Sequence, residues 1–179
     1  MQNLLRVAGW IDAMNEWIGK SAAWLGLAAV LVCTGNALAR YALNIGSNAW
    51  LELQWYLNAA VFLLIAGYAL KRNEHVRIDV IIGRLSERTQ AWIDLLGGLF
   101  MLLPVTVIIG WYSWPSLVNS WHINEYSSDP GGLIRWPVRV LIPLAFGLLA
   151  LQGVSEIIKR VAILRGHMKA DLHYERPLQ

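Results

Sequence analysis

The stretch LKRNEHVRIDVIIGRLSERTQ, Leu70 to Gln90, holds the densest group of side chains able to do chemistry. His75 and Asp79 stand four residues apart, which on a helix puts imidazole and carboxylate on one face, a usable spacing for metal ligation or proton transfer. A structural metal site wants about four ligands and a catalytic one about three. Only these two converge, so the cluster reads as fixing a turn. Arg40 and Glu52 form the second candidate. They flank a short loop between two apolar runs, and a charge near hydrocarbon usually takes a partner. An Arg40–Glu52 ion pair is expected, with Glu52 also favoured by the dipole of the helix it opens. Separate snorkelling of the two side chains to water is the alternative. Asn36, Gln54 and Asn58 place amides at membrane depth, where they hydrogen-bond across helices, within the chain or to another subunit. Asp94 reads as an ordinary first-turn carboxylate, and Glu156, beside Lys159 and Arg160, as solvated.

The remaining chemistry is excluded by position. A haem held in a four-span bundle needs histidines facing each other inside the membrane. His75, His167 and His173 fall outside the apolar runs and His122 at an edge. A small proton-coupled exporter needs a carboxylate deep in a helix, and the runs contain none. No phosphate-cradling glycine loop, Ser/His/Asp or Cys/His arrangement is present. Cys33, the single cysteine, cannot form an internal disulfide. No enzymatic activity and no cofactor are expected.

The elements that must position these residues follow from the charges. Uncharged runs cover 21–39, 53–70, 95–124 and 140–155 in a chain of 179 residues that is 56% hydrophobic. A helix needs about 20 mainly apolar residues to cross roughly 30 Å of hydrocarbon, and four such runs leave little surface for water. The expected fold is an all-α membrane protein of one domain. Its four transmembrane helices lie at about 19–43, 50–71, 89–117 and 136–159. Residues 3–18, with Leu4, Val7, Ala8, Ile11, Met14 and Ile18 on one face, read as an N-terminal interfacial helix, and 160–179 as a charged tail. The start lacks the layout of a cleaved secretory signal, so span 1 reads as an uncleaved anchor. Pro104 and Pro143 should bend their helices unless neighbours rescue the freed carbonyls.

Lys and Arg side chains divide twelve to three between the two sides that such a topology defines. The bias puts both termini in the cytoplasm and explains the pI near 9.2 without nucleic acid. Trp17, Trp50, Trp92, Trp121 and Trp136 flank the runs, as interfacial indoles do. Trp24, Trp55, Trp111 and Trp114 lie deeper and face lipid, the core or a partner helix.

Ile78, Ile81, Ile82 and Leu85 follow i, i+3, i+4, i+7, while Arg77, Arg84 and Arg88 fall off that stripe. The pattern fits an in-plane amphipathic helix over about 75–86, between spans 2 and 3, with its apolar side in the membrane. Gly83 lowers its helix propensity by about 1 kcal/mol relative to Ala, a cost that burial of four aliphatic side chains exceeds. Ser86 is placed to cap the helix that becomes span 3.

The sequence RYAL, followed by WLELQWYLNAAVFLLIAGYALKRNEHVRIDVIIGRLS, resembles the small membrane subunit of tripartite ATP-independent periplasmic (TRAP) transporters. Arg40-Tyr41, Trp50, Glu52, Lys71, His75 and Asp79 match that family's pattern. Leu53 stands where a second acidic residue often follows the first. The resemblance implies a bacterial inner-membrane complex. In it a periplasmic substrate-binding protein delivers an organic acid, and a large permease subunit moves it inward on a sodium gradient. The small subunit braces the large one and carries no substrate site. Expected contacts with partner or lipid are Trp50, Trp55, Asn58, Lys71, His75 and Arg77. The same expectation covers Ile78, Asp79, Ile81, Ile82, Arg84 and Leu85. The alternative is a self-sufficient four-helix transporter or membrane enzyme.

Overall fold

In a computed structural model of the chain, residues 1–72 and 85–167 are described, and they form four long helices. α1 is Gln2–Leu43, α2 Asn48–Lys71, α3 Glu87–His122 and α4 Trp136–Leu164. Each is long and apolar enough to cross a membrane. The only strand-like pairing among the described residues is an isolated bridge between Tyr126 and Ile134. The start of α1, the end of α2, the start of α3 and the end of α4 meet at one end, here the basic end. The opposite end carries the 44–47 and 123–135 connections, here the loop end.

Local chemistry sets the helix limits. α1 stops where Asn44 adopts a left-handed conformation (φ 53°), its N–H closing onto the Ala39 carbonyl. Asparagine tolerates that conformation better than most residues. Ser86 caps α3 as expected, its hydroxyl accepting the Thr89 N–H at 3.3 Å. The Asp129–Gly132 turn closes through the Gly132 N–H to the Asp129 carbonyl, with Pro130 second and Gly131 third at φ 71°, the residue order a type II turn requires.

Residues 3–18, expected as an interfacial helix leading into span 1, are continuous with that span. α1 runs unbroken for 42 residues, about 63 Å at 1.5 Å per residue, and no proline or glycine pair interrupts it near residue 18. Its first half packs against α2 and α4 and buries Ala8, Asn15 and Gly19. The in-plane helix expected over 75–86 lies outside the described residues except at its last two positions. Of those, Leu85 is exposed.

α4 is the hub. It packs against α1, α2 and α3, α1 and α2 pair with each other, and α3 leans mainly on α4. Small residues permit the close approach that membrane helices need in place of a hydrophobic driving force. Ala22, Ala29, Ala60 and Ala145 are buried at these contacts. Gly153 of α4 faces Leu102 and Leu103, and Gly98 of α3 faces Ile157. Pro104 offers no N–H, and the turn before it widens into a π-helical segment, Gly98–Leu102, in which Leu103 N bonds the Gly98 carbonyl. The Thr106 hydroxyl donates to the Leu102 and Leu103 carbonyls at 2.9 Å each.

Gly19 is a tight point of the α1–α2 contact that a side chain would disturb. A Cβ there would fall 2.5 Å from Tyr68 Cβ, next to the α2 backbone and unable to swing away. Gly19→Val should destabilise the detergent-solubilised chain by about 1–3 kcal/mol, the usual cost of overpacking. Gly147→Ala, where nothing lies within 4 Å, should leave the melting temperature unchanged or slightly raised.

Candidate functional site

Two polar clusters fasten the bundle, one at each end. At the basic end, α4 carries Gln152, Ser155, Glu156, Lys159 and Arg160 at helical spacing, and α1 presents Asp12, Asn15 and Glu16. Gln152 is fully buried. It accepts from Asn15 Nδ2 at 3.0 Å and donates to Asp12 Oδ1 at 2.8 Å and Glu156 Oε1 at 3.2 Å. Ser155 donates to Asp12 Oδ1 at 2.7 Å and to the Ala8 carbonyl at 3.2 Å. Lys159 lies 3.0 Å from Asp12 Oδ2 and also binds Glu156. Asn15 Oδ1 has no hydrogen-bond partner and presses on Gly67 of α2, where even a methyl group would collide with it.

α2 and α3 join the same end. Lys71 reaches Glu16 Oε2 at 2.6 Å and the Asp12 carbonyl at 3.3 Å. The Arg160 guanidinium, almost wholly buried, lies 3.2 Å from Asp94 Oδ2. The expectations that Asp94 is an ordinary first-turn carboxylate and that Glu156 is solvated are therefore corrected. Asp94 is held against α4 by Arg160, and Glu156 is paired with Lys159 on α4 itself.

Asp12 and Glu16 lie ahead of the uncharged run of α1. Burial raises the Asp12 pKa, but the hydrogen bonds from Ser155 and Gln152, with Lys159 beside them, outweigh it and leave the carboxyl below its ordinary value. Hydrogen bonds from Lys20 and Lys71, and their charges, hold Glu16 down to about 2.

At the loop end, α2 sews down the 123–135 connection with three residues one turn apart. Asn48 donates to the Pro130 carbonyl at 2.9 Å, and Tyr56 donates to the Ile134 carbonyl at 3.3 Å. Between them Glu52, only 6% exposed, accepts from the Leu133 N–H at 2.6 Å and from the Ser127 hydroxyl. Glu125 pairs with Arg139 at 2.6 Å and, more loosely, with Arg135 at 3.9 Å. The rings of Trp121 and Trp136 meet edge to face at 4.5 Å.

This geometry does not pair Arg40 with Glu52. The carboxylate already holds the loop between α3 and α4, while Arg40 is exposed in the last turn of α1. Proximity along the chain pointed to Arg40, whereas the partners of Glu52 come from about 80 residues further on. The i, i+4, i+8 run of Asn48, Glu52 and Tyr56 at the mouth of a span was the available signal.

The other expected contact residues divide three ways. Trp50 is half exposed and lines an apolar groove of about 430 Å³ with Leu31, Gly35, Asn36 and Ser47. Trp55 and Asn58 point outward from α2, and Lys71 is engaged with α1. His75, Arg77, Ile78, Asp79, Ile81, Ile82 and Arg84 lie outside the described residues. Trp24, Trp55, Trp111 and Trp114 are all exposed. No group of three His, Cys, Asp or Glu side chains able to hold a metal occurs among the described residues.

Four apolar helices, tied to one another at both ends and apolar on their outer faces, define a multi-pass membrane protein. Within that class the chain belongs to the family described as Tripartite ATP-independent periplasmic transporters, DctQ component, which matches residues 7–162. The family is the small permease component of TRAP transporters and is not an enzyme family. Comparison with curated proteins and with solved structures gave no match.

Two measurements check the clusters. Glu52→Leu should leave the four helices intact but release the loop, speeding amide exchange at Leu133 on the order of tenfold. Glu52→Gln, which keeps an acceptor, should show a smaller effect. A carboxyl whose folded pKa is depressed contributes stability that is present above its unfolded pKa and is lost as pH falls through the folded value. The Glu16 link should therefore hold at neutral pH, begin to weaken below about 4.5 and be lost near 2. Carbon NMR of the Glu16 carboxyl should place its midpoint near 2, and Lys71→Met should move that midpoint upward.

Proposed function

We propose that this chain is the passive bracing subunit of a sodium-driven TRAP transporter in a bacterial inner membrane, with both termini in the cytoplasm. A large permease subunit carries the substrate and sodium sites. A periplasmic binding protein delivers an organic acid to it. The observation that supports this best is how the buried charges are used. Among the described residues the buried charged side chains are Glu52 and Arg160, and each is bonded to another segment of the same chain. Groups that fix helices to helices at both ends favour a strut of constant shape. A carrier needs polar groups that are free to bind and release a solute at membrane depth. Family membership supports this identity for the neighbours.

The topology follows the same logic. The basic end holds Lys20, Lys71, Lys159 and Arg160, and positive charge is retained on the cytoplasmic side. The loop end then faces the periplasm, where Glu52 keeps the 123–135 connection flat against the bundle.

Reconstitution tests the assignment. Vesicles with this chain, with the large subunit, or with both would receive the binding protein loaded in turn with dicarboxylates, keto acids, hydroxy acids and sugar acids. Sodium-dependent uptake of one class is expected only when both membrane subunits are present. Uptake by this chain alone would reject the bracing role, as would full uptake in its absence.

A further inference from the structure

The outward face of α2 carries a polar group that the bundle does not satisfy. Leu51, Trp55, Asn58 and Phe62 follow i, i+4, i+7, i+11 and share one face, and all four are exposed; Trp55 is 66% and Phe62 81% exposed. The opposite side of the helix buries Ala60 and Gly67. Asn58 has no hydrogen-bond partner among the described residues, and neither has Gln54, one turn before it. Glu52 and Lys71 bracket the uncharged run of α2, and Asn58 lies six residues past Glu52, about 9 Å along the axis. Its side chain is too short to snorkel to the headgroups from there, and an amide left without a partner in hydrocarbon is strongly unfavourable. Lipid can cover Leu51, Trp55 and Phe62 but offers nothing to Asn58.

We propose that this face of α2 is the intramembrane seat for a helix of the large permease subunit, and that Asn58 hydrogen-bonds a polar group on that helix. The shape of the face selects the partner. Close packing of membrane helices needs small residues on at least one side, and Leu51, Trp55, Asn58 and Phe62 include none. Two copies of this chain would set tryptophan and phenylalanine against themselves. A different helix, with Gly, Ala or Ser opposite the two aromatic rings and a donor or acceptor opposite the amide, fits instead. The inference rests on the proposed function for the identity of the partner and adds the surface through which the two subunits meet.

The test uses the full chain co-expressed with its large subunit. Asn58→Leu removes the amide while keeping the volume similar, and Phe62 is replaced in a separate variant by a photoreactive phenylalanine. Because Asn58 bonds nothing among the described residues, the isolated subunit should melt at the wild-type temperature or slightly higher. Recovery of the large subunit should fall roughly three- to fifteenfold, the range that interhelical hydrogen bonds in membranes span. Asn58→Gln should restore part of it. Irradiation should join position 62 to the large subunit. Wild-type recovery with Asn58→Leu would overturn the inference, as would cross-linking to a second copy of this chain or to lipid alone. If the complex still needs this chain for uptake while position 62 stays unlinked to it, the seat is wrong and the bracing role stands. If the two subunits never associate, both fall.

Discussion

Gln152 is completely buried, and its amide ties Asp12 and Asn15 of α1 to α4. Such a group is expensive to bury unless both its donor and acceptor sides are engaged. Asn15 and Asp12 of α1 meet that requirement, and Glu156 completes it. The depth and rotation of α1 are thereby set relative to α4. The next turns of α4 then fix the rest: Lys159 holds Asp12, Arg160 holds Asp94 at the start of α3, and Lys71 brings the end of α2 to Glu16. In a bilayer these directed bonds and the small-residue contacts must provide what hydrophobic burial provides in water.

The loop end obeys the same constraint by different means. The connection from α3 to α4 crosses the mouth of the bundle and carries backbone groups that need partners. α2 supplies an amide, a carboxylate and a phenol on successive turns, and the connection lies flat across them. Both ends are closed with groups drawn from this chain, while the outer faces are left apolar. That division suits a component of a tripartite transporter, as the DctQ family is described.

The four spans were legible because uncharged runs are a local property that the bilayer imposes directly. Ser86 as a cap and the Asp129–Gly132 turn were legible for the same reason, since both are decided within four residues. The partners of charged groups were not. Asp12 and Glu16 sit off the apolar stripe of residues 3–18, on the side expected to face away from the bilayer. They are instead the acceptors for Lys159 and Lys71, one of which lies 147 residues away. Arg40 is near Glu52 in the chain, but the folded carboxylate meets the Ser127 hydroxyl and the Leu133 N–H instead. The resemblance around residues 40–86 pointed to the right family, although part of the stretch that carries it lies outside the described residues.

The widened turn at Gly98–Leu102 has a consequence for how α3 can respond to strain. A π segment holds an extra residue, so the side chains before it and after it do not share the register of a straight α-helix. Pro104 lies immediately beyond, and bends concentrate at such places. The first part of α3, anchored through Asp94, and the part that leads to the 123–135 connection are therefore joined by a compliant link within the apolar run. A push on the loop-end half of α3 is absorbed there as a small change of pitch, and the Asp94–Arg160 tie need not be disturbed.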